Sequence, residues 1–201
     1  MIACFLAALS LLVLPAQRVR VGDSVGSGVS VACVNGQTLI LTANHVVKDG
    51  GQCTVDNIPG KVIAQDGTWD LAAIVVSTTK FPIFSLGSHK PKIGESLTLC
   101  GFGSSDYKSS IGQVNGFCSP KTEENGWITI STSGRSGDSG GPMFFSDGSV
   151  GAILFGSIGG SAYGTHCLQI RSFLKTIQGY NTLIDQALKN GRSYVFTKDR
   201  N

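Results

Sequence analysis

The stretch VGSGVSVACVNGQTLILTANHVV, residues 25–47, alternates before its midpoint and carries the apolar run Leu39-Ile40-Leu41 after it. Val29, Val31 and Cys33 recur at every second position, the period of a strand with one face in a core. Asn35-Gly36 follows, a dipeptide that readily takes the two left-handed conformations of a tight hairpin turn. Thr38 to Leu41 then runs back, so a β-hairpin is expected, and it leads directly into His45. Working outward, QCTVDNIPGKVIAQDGTWDLAAIVVS (52–77) reads as two or three more short strands, punctuated at Pro59-Gly60 and Asp66-Gly67. The loop FPIFSLGSHKPKIG (81–94), interrupted by Pro82, Pro91 and Gly94, separates a first half from a second. Beyond it ESLTLCGFGS (95–104), SIGQVNGFCSP (110–120), GWITISTS (126–133), SVGAILFGSIGG (149–160) and YGTHCLQIRSF (163–173) read as strands. The period then changes: Phe173, Leu174, Ile177, Tyr180, Ile184, Ala187 and Leu188 fall three or four apart. That spacing predicts one amphipathic helix, stopped by Gly191 and packed on the second half.

Composition agrees. A chain of 201 residues with 27 glycines and 14% charged residues suits a turn-rich all-β fold. It is long enough to bury a core without disulfides. The expected organisation is one domain in two halves, residues 17–85 and 86–201. The net charge of +3 comes from scattered charges with no run of five alike, which argues against nucleic acid as a partner. No repeat or low-complexity tract is present.

Residues 1–16 stand apart. Met1–Pro15 is apolar but shorter than a bilayer span. It reads as a secretory signal cleaved near Ala16, for a secreted or periplasmic protein. The basic residues Arg18 and Arg20 follow the run rather than precede it, an order that instead favours a membrane-associated segment. Of six cysteines, Cys4 lies in this run; Cys33 with Cys53 and Cys100 with Cys118 are candidate bridges, and buried thiols are the alternative. No Cys-x-x-Cys pair occurs, so no zinc site is expected, and nothing suggests a cofactor.

The chemistry concentrates in SGRSGDSGGPMF, Ser133–Phe144, where five of twelve residues are glycine or proline. A loop so costly to order holds a particular backbone shape, with Ser139 at its centre. A serine hydroxyl needs a base to take its proton and an acid to orient that base. Only three histidines compete for the first role: His45 at a strand end, His89 in a polar loop, and His166 inside a late strand. For the second, Asp70 precedes the apolar run LAAIVV, whereas Asp66 in QDGT reads as a turn residue.

The succession TAxH, DLA, GDSGGP resembles the chymotrypsin-like (trypsin-fold) serine peptidases over about residues 25–177. The resemblance implies two six-stranded antiparallel β-barrels with the site in the cleft between them, to which the apolar period adds the C-terminal α-helix. It implies His45 as general base, Asp70 as its orienting partner, Ser139 as nucleophile, and the N–H groups of Gly137 and Ser139 as the oxyanion hole. Asp138 resembles the supporting aspartate behind the nucleophile. The walls of the specificity pocket are expected from Ser133, Gly134 and Ser136, from Leu154, Phe155 and Gly156, and from Gly164, Thr165 and His166. No aspartate stands at the pocket floor, which argues against strict Lys/Arg preference. His166 and Ser136 resemble features of Glu-preferring members, against which stands a preference for aromatic or large apolar residues.

The His45–Asp70 spacing of 25 residues is short for a digestive trypsin and resembles compact bacterial heat-shock or viral processing peptidases. Val21-Gly22 leaves too little chain before Gly26 for activation by a new N-terminus. The expected protein is a monomeric serine endopeptidase acting on polypeptide substrates, either secreted or periplasmic, or membrane-associated in a virus-infected cell. The rival is a catalytically inactive binding module on the same barrels.

Overall fold

A computed structural model describes residues 14–103, 106–118 and 126–189. Twelve strands form two closed antiparallel barrels. The first holds β1 (Gln17–Val21), β2 (Ser24–Val34), β3 (Gln37–Thr42), β4 (Cys53–Val55), β5 (Ile58–Asp66) and β6 (Leu71–Val76) in the order β1-β2-β3-β6-β5-β4. The second holds β7 (Ser96–Gly101), β8 (Lys108–Cys118), β9 (Trp127–Ile130), β10 (Pro142–Phe144), β11 (Val150–Ile158) and β12 (Ser161–His166). Its order β10-β11-β12-β9-β8-β7 is the same six-strand wiring repeated. Among the described residues, closure leaves no open sheet edge to template aggregation.

Burial follows the sequence pattern. β6, apolar throughout, is buried at every position, and β5 is only half-buried. The expected hairpin forms with Val29 opposite Leu41 and Val34 opposite Gln37, and Asn35 and Gly36 take φ of 51° and 78°. Asp66 is the turn residue expected: its Oδ1 accepts from the N–H groups of Thr68 and Trp69 at 2.8 and 3.2 Å. Pro59-Gly60 is not a turn. Both lie inside β5, and the chain reverses at Asp56 and Asn57, with φ of 46° and 65°. β1 is a further strand that the composition of the N-terminal region did not suggest, pairing with both β2 and β4 to close the barrel.

The C-terminal helix is two helices. α2 (Cys167–Thr176) and α3 (Asn181–Leu188) are separated by Ile177–Tyr180, where Gly179 takes φ +79°. The apolar spacing runs through this break because Ile177 and Tyr180 still pack inward. Nor does the whole segment pack on the second half. Leu183, Ile184 and Ala187 join Val29, Val31 and Leu39 of the first barrel in one buried cluster with Phe173 and Leu174. Gln186 Oε1 accepts from the Cys33 N–H at 2.6 Å. α3 is thus a strap from the second barrel onto β2. Arg171 of α2 fastens the inter-barrel linker, donating to the carbonyls of Leu86 and Gly87 at 2.9 and 3.0 Å. Gly191 and residues 1–13, including Cys4, lie outside the described residues.

Neither candidate disulfide forms: Cys33, Cys53, Cys100, Cys118 and Cys167 are all free thiols. Burial pushes the Cys100 thiol up to about 11 and Cys167 up to about 12. Alkylation needs the thiolate, so at pH 8 iodoacetamide should label the part-exposed Cys33 first and Cys118, whose thiol burial also raises, more slowly, with Cys53, Cys100 and Cys167 labelled only after unfolding, as read by mapped mass spectrometry. The raised thiols also set a sign. The unfolded chain releases these protons near pH 9, before the folded one does, so stability is full below that pH and falls as pH rises toward 11–12.

Candidate active site

Three segments meet at the junction of the barrels. The first is a single helical turn, α1 (Asn44–Val47), which follows β3 directly and carries His45. The second is Asp70, at the start of β6. It has φ +52°, a conformation that is rare for a residue with a side chain and often marks functional sites. Three hydrogen bonds repay that conformation. The Asp70 carbonyl accepts from the Asn44 N–H at 3.1 Å, Oδ1 accepts from the His45 N–H at 2.8 Å, and Oδ2 accepts from His45 Nδ1 at 2.6 Å. The carboxylate has no proton to give, so Nδ1 carries the hydrogen and Nε2 is left as the ring's acceptor. The second barrel steadies this corner, because Thr165 Oγ1 donates to the carbonyl of Trp69 at 2.6 Å and Trp69 meets Trp127 edge-on.

The third segment is the glycine loop. The Ser139 carbonyl accepts from the Ser27 N–H at 2.7 Å, and the Gly137 carbonyl accepts from Ser27 Oγ at 2.8 Å. Ser27 of β2 thereby ties the loop to the barrel that carries His45. Gly140, at φ +84°, lies so close to this barrel that a Cβ there would meet Ser27 O and Thr42 Oγ1 at 2.2 Å. Only glycine allows that approach. Gly137 takes φ +90°. Among the described residues no carbonyl accepts from the N–H of Gly137 or of Ser139. Two unspent donors, one on each side of Asp138 and beside a hydroxyl, suit a developing oxyanion.

The expected pocket residues divide. Gly134, Ser136, Leu154 and Gly156 line a cavity of about 220 Å³ together with Ser139, Arg135 and Ser157. Ser133 lines a neighbouring cavity of about 130 Å³ instead. Phe155, Gly164 and His166 are not among the residues lining the cavity beside Ser139, and each absence has a physical reason. A β-bulge leaves Phe155 unpaired between Leu154, opposite Gly164, and Gly156, opposite Tyr163, and its ring packs on Trp127 at 4.7 Å. Gly164 is already covered, since a Cβ there would meet the Ile153 carbonyl at 2.9 Å and Met143 Cε at 3.0 Å. His166 ends β12 and caps α2, its Nδ1 accepting from the Gln169 N–H at 3.4 Å, and it is 6% exposed.

Ser157 and Arg135 are lining residues that sequence reasoning missed. Ser157 carries no signal of its own; its Oγ accepts from the Gly134 N–H at 3.1 Å and sets that part of the wall. Arg135 had a signal in a basic residue three before an aspartate. His89, expected in a solvated loop, is exposed and pairs with Glu95 at 3.1 Å.

Two repeated six-stranded barrels with histidine, aspartate and a glycine-bound serine at their junction define a trypsin-fold chain of the serine-peptidase class. The trypsin-like peptidase domain model matches residues 26–153, and the chain belongs to that family. A probable periplasmic serine endoprotease DegP-like, from Pseudomonas fulva, is 32% identical over 146 residues, covering 68% of this chain and 30% of the relative. The chain thus spans under a third of that relative's length. The active form of the Rv3671c protease from Mycobacterium tuberculosis superposes with a TM-score of 0.71 at 19% identity, covering 82% of this chain and 81% of that one. The serine endoprotease from Yersinia pestis gives 0.67 at 20% identity, covering 89% and 64%. At these identities the two structures speak for the fold.

Proposed function

We propose that the chain is a serine endopeptidase working through His45, Asp70 and Ser139. His45 Nε2 takes the Ser139 Oγ proton as Oγ attacks the peptide carbonyl, and the carbonyl oxygen becomes an oxyanion bound by the Gly137 and Ser139 N–H groups. Collapse breaks the C–N bond, and His45 returns the proton to the departing amine, leaving an acyl ester on Ser139. His45 then takes a proton from water, whose oxygen attacks the ester, and a second collapse frees the acid and restores Ser139 Oγ–H. The observation that carries this reading is the two-point hold of Asp70 on His45, which commits the ring to accepting at Nε2.

A fluorophosphonate probe tests it against an inactive binding module. The folded chain should label at one site, and Ser139→Ala should not label; a folded chain that never labels removes the peptidase reading. The cavity beside Ser139 favours an uncharged side chain before the scissile bond, because His166, which motivated an acidic preference, lies outside the lining, and the one charged group in it, the Arg135 guanidinium, is bonded to Asp138. Cleavage of a peptide library read by mass spectrometry checks this, and a Glu preference would reverse it. A secreted or periplasmic setting is supported by the apolar run Met1–Pro15 and by the relative described as periplasmic. Among the described residues no helix is long and apolar enough to cross a membrane.

A further inference from the structure

Asp138 immediately precedes Ser139, and its side chain is only 5% exposed. A carboxylate so buried is costly unless it is paired and hydrogen-bonded. The partner stands three residues earlier in the same loop. Arg135 Nη2 donates to Oδ1 at 2.9 Å and Nε donates to Oδ2 at 3.1 Å, a planar fork on a planar acceptor. The backbone closes the same ring: the Arg135 N–H donates to Oδ2 at 2.8 Å, and the Asp138 N–H donates to the Arg135 carbonyl at 3.0 Å. Gly103 N–H adds a bond to Oδ1 at 2.6 Å. Nη2 also reaches the carbonyls of Gly101 and Asp106, at 3.4 and 3.2 Å. Gly137, with its left-handed φ, lies inside this ring, and Ser139 lies one residue beyond it. The two N–H groups available to an oxyanion therefore flank the residue that Arg135 grips.

We propose that Arg135 is a positioning residue for the reaction. Its guanidinium, clamped on Asp138, holds residues 135–139 in the shape where the Gly137 and Ser139 N–H groups converge. The oxyanion-binding geometry is then built by a charge partner from within the loop itself. This inference rests on the reading of Gly137 and Ser139 as the oxyanion donors.

The test uses Arg135→Gln, which removes the charge, and Arg135→Lys, which keeps the charge without the fork. Three readouts are taken on the whole chain. They are kcat and KM on one peptide, affinity for the aldehyde analogue of that peptide, and hydrogen exchange at the Gly140 and Gly141 N–H groups. Those groups donate to Leu154 O and Asp138 O. In Arg135→Gln, kcat and aldehyde affinity should both fall by about 10²-fold, the scale of a lost oxyanion donor. KM should stay within about threefold, since the loss falls on the transition state. Gly140 and Gly141 should lose protection while the β9 amides keep theirs, and Arg135→Lys should fall in between. Should Arg135→Gln not fold, Arg135→Lys is read by the same criteria.

Unchanged kcat and aldehyde affinity would overturn the proposal. So would an altered KM or residue preference at constant aldehyde affinity, which would make Arg135 a wall of the cavity beside Ser139 that touches substrate. Failure of both variants to fold would likewise overturn it, in favour of a purely structural pair. If the unaltered chain neither cleaves peptide nor labels, the peptidase reading has failed, and exchange at Gly140 and Gly141 still decides whether Arg135 holds the loop.

Discussion

His45→Ala should lower kcat by about 10⁶, because the base acts together with the nucleophile and losing either forfeits the whole effect. In the proposed mechanism the His45 imidazole accepts the Ser139 proton. Asp70 is turned toward Nδ1 and the His45 N–H and offers the serine nothing. The substitution is mild for the fold. His45 lies in a one-turn helix, its side chain is 39% exposed, and Val46 and Val47 supply the buried contacts of α1. KM should therefore move little, and the melting temperature should stay close to that of the unaltered chain. Steady-state kinetics on a cleaved peptide, beside a thermal melt, check both. A His45→Ala variant with more than about one-hundredth of normal turnover would mean that another base serves Ser139.

Asp70→Asn should lower kcat by about 10⁴, and the geometry explains why a near-isosteric change is so harmful. Two donors face the carboxylate: the His45 N–H at Oδ1 and Nδ1–H at Oδ2. An amide has one oxygen for the two positions. The His45 backbone N–H cannot change its proton, so the amide oxygen goes there and the amide NH₂ confronts Nδ1. The ring answers by moving its hydrogen to Nε2, and Nε2 then cannot accept from Ser139. The expected signature is a large kcat loss at nearly constant KM, with Ser139 still in place. Turnover within about tenfold of normal would show that Asp70 is not the orienting group; Asp66 could not replace it, because it is committed to the Thr68 and Trp69 N–H groups.

The fold was largely legible because most of its strands carry their own signals. The alternation of Val29, Val31 and Cys33 and the Asn35-Gly36 turn specify β2 and β3 locally, and the continuous apolar run of β6 announces a strand buried on both faces. Where reading failed, a non-local interaction had overruled a local cue. Pro59-Gly60 looks like a turn, yet Pro59 sits opposite Thr54 in the ladder because Asp56 and Asn57 supply the reversal. The helical period from Phe173 to Leu188 crosses a real break, since Gly179 takes a left-handed φ there and α3 turns onto β2 while its apolar face stays in the same cluster as that of α2. Cysteines at hairpin-like spacing are not bridged, because spacing along the chain does not bring the sulfur atoms together.

The sequence by itself determined the chemistry offered: one glycine-bound serine, a histidine at a strand end, and an aspartate entering an apolar strand. Residue type and local spacing suffice there, because proton transfer needs particular groups and a tight loop needs particular glycines. Tertiary structure alone decided which residues shape the space beside Ser139. The bulge at Phe155 turns that ring onto Trp127, Met143 covers Gly164, and the start of α2 claims His166 as its cap. It also revealed Arg135 gripping Asp138, since the three-residue spacing offers the pair but only the fold of the loop around the left-handed Gly137 closes it.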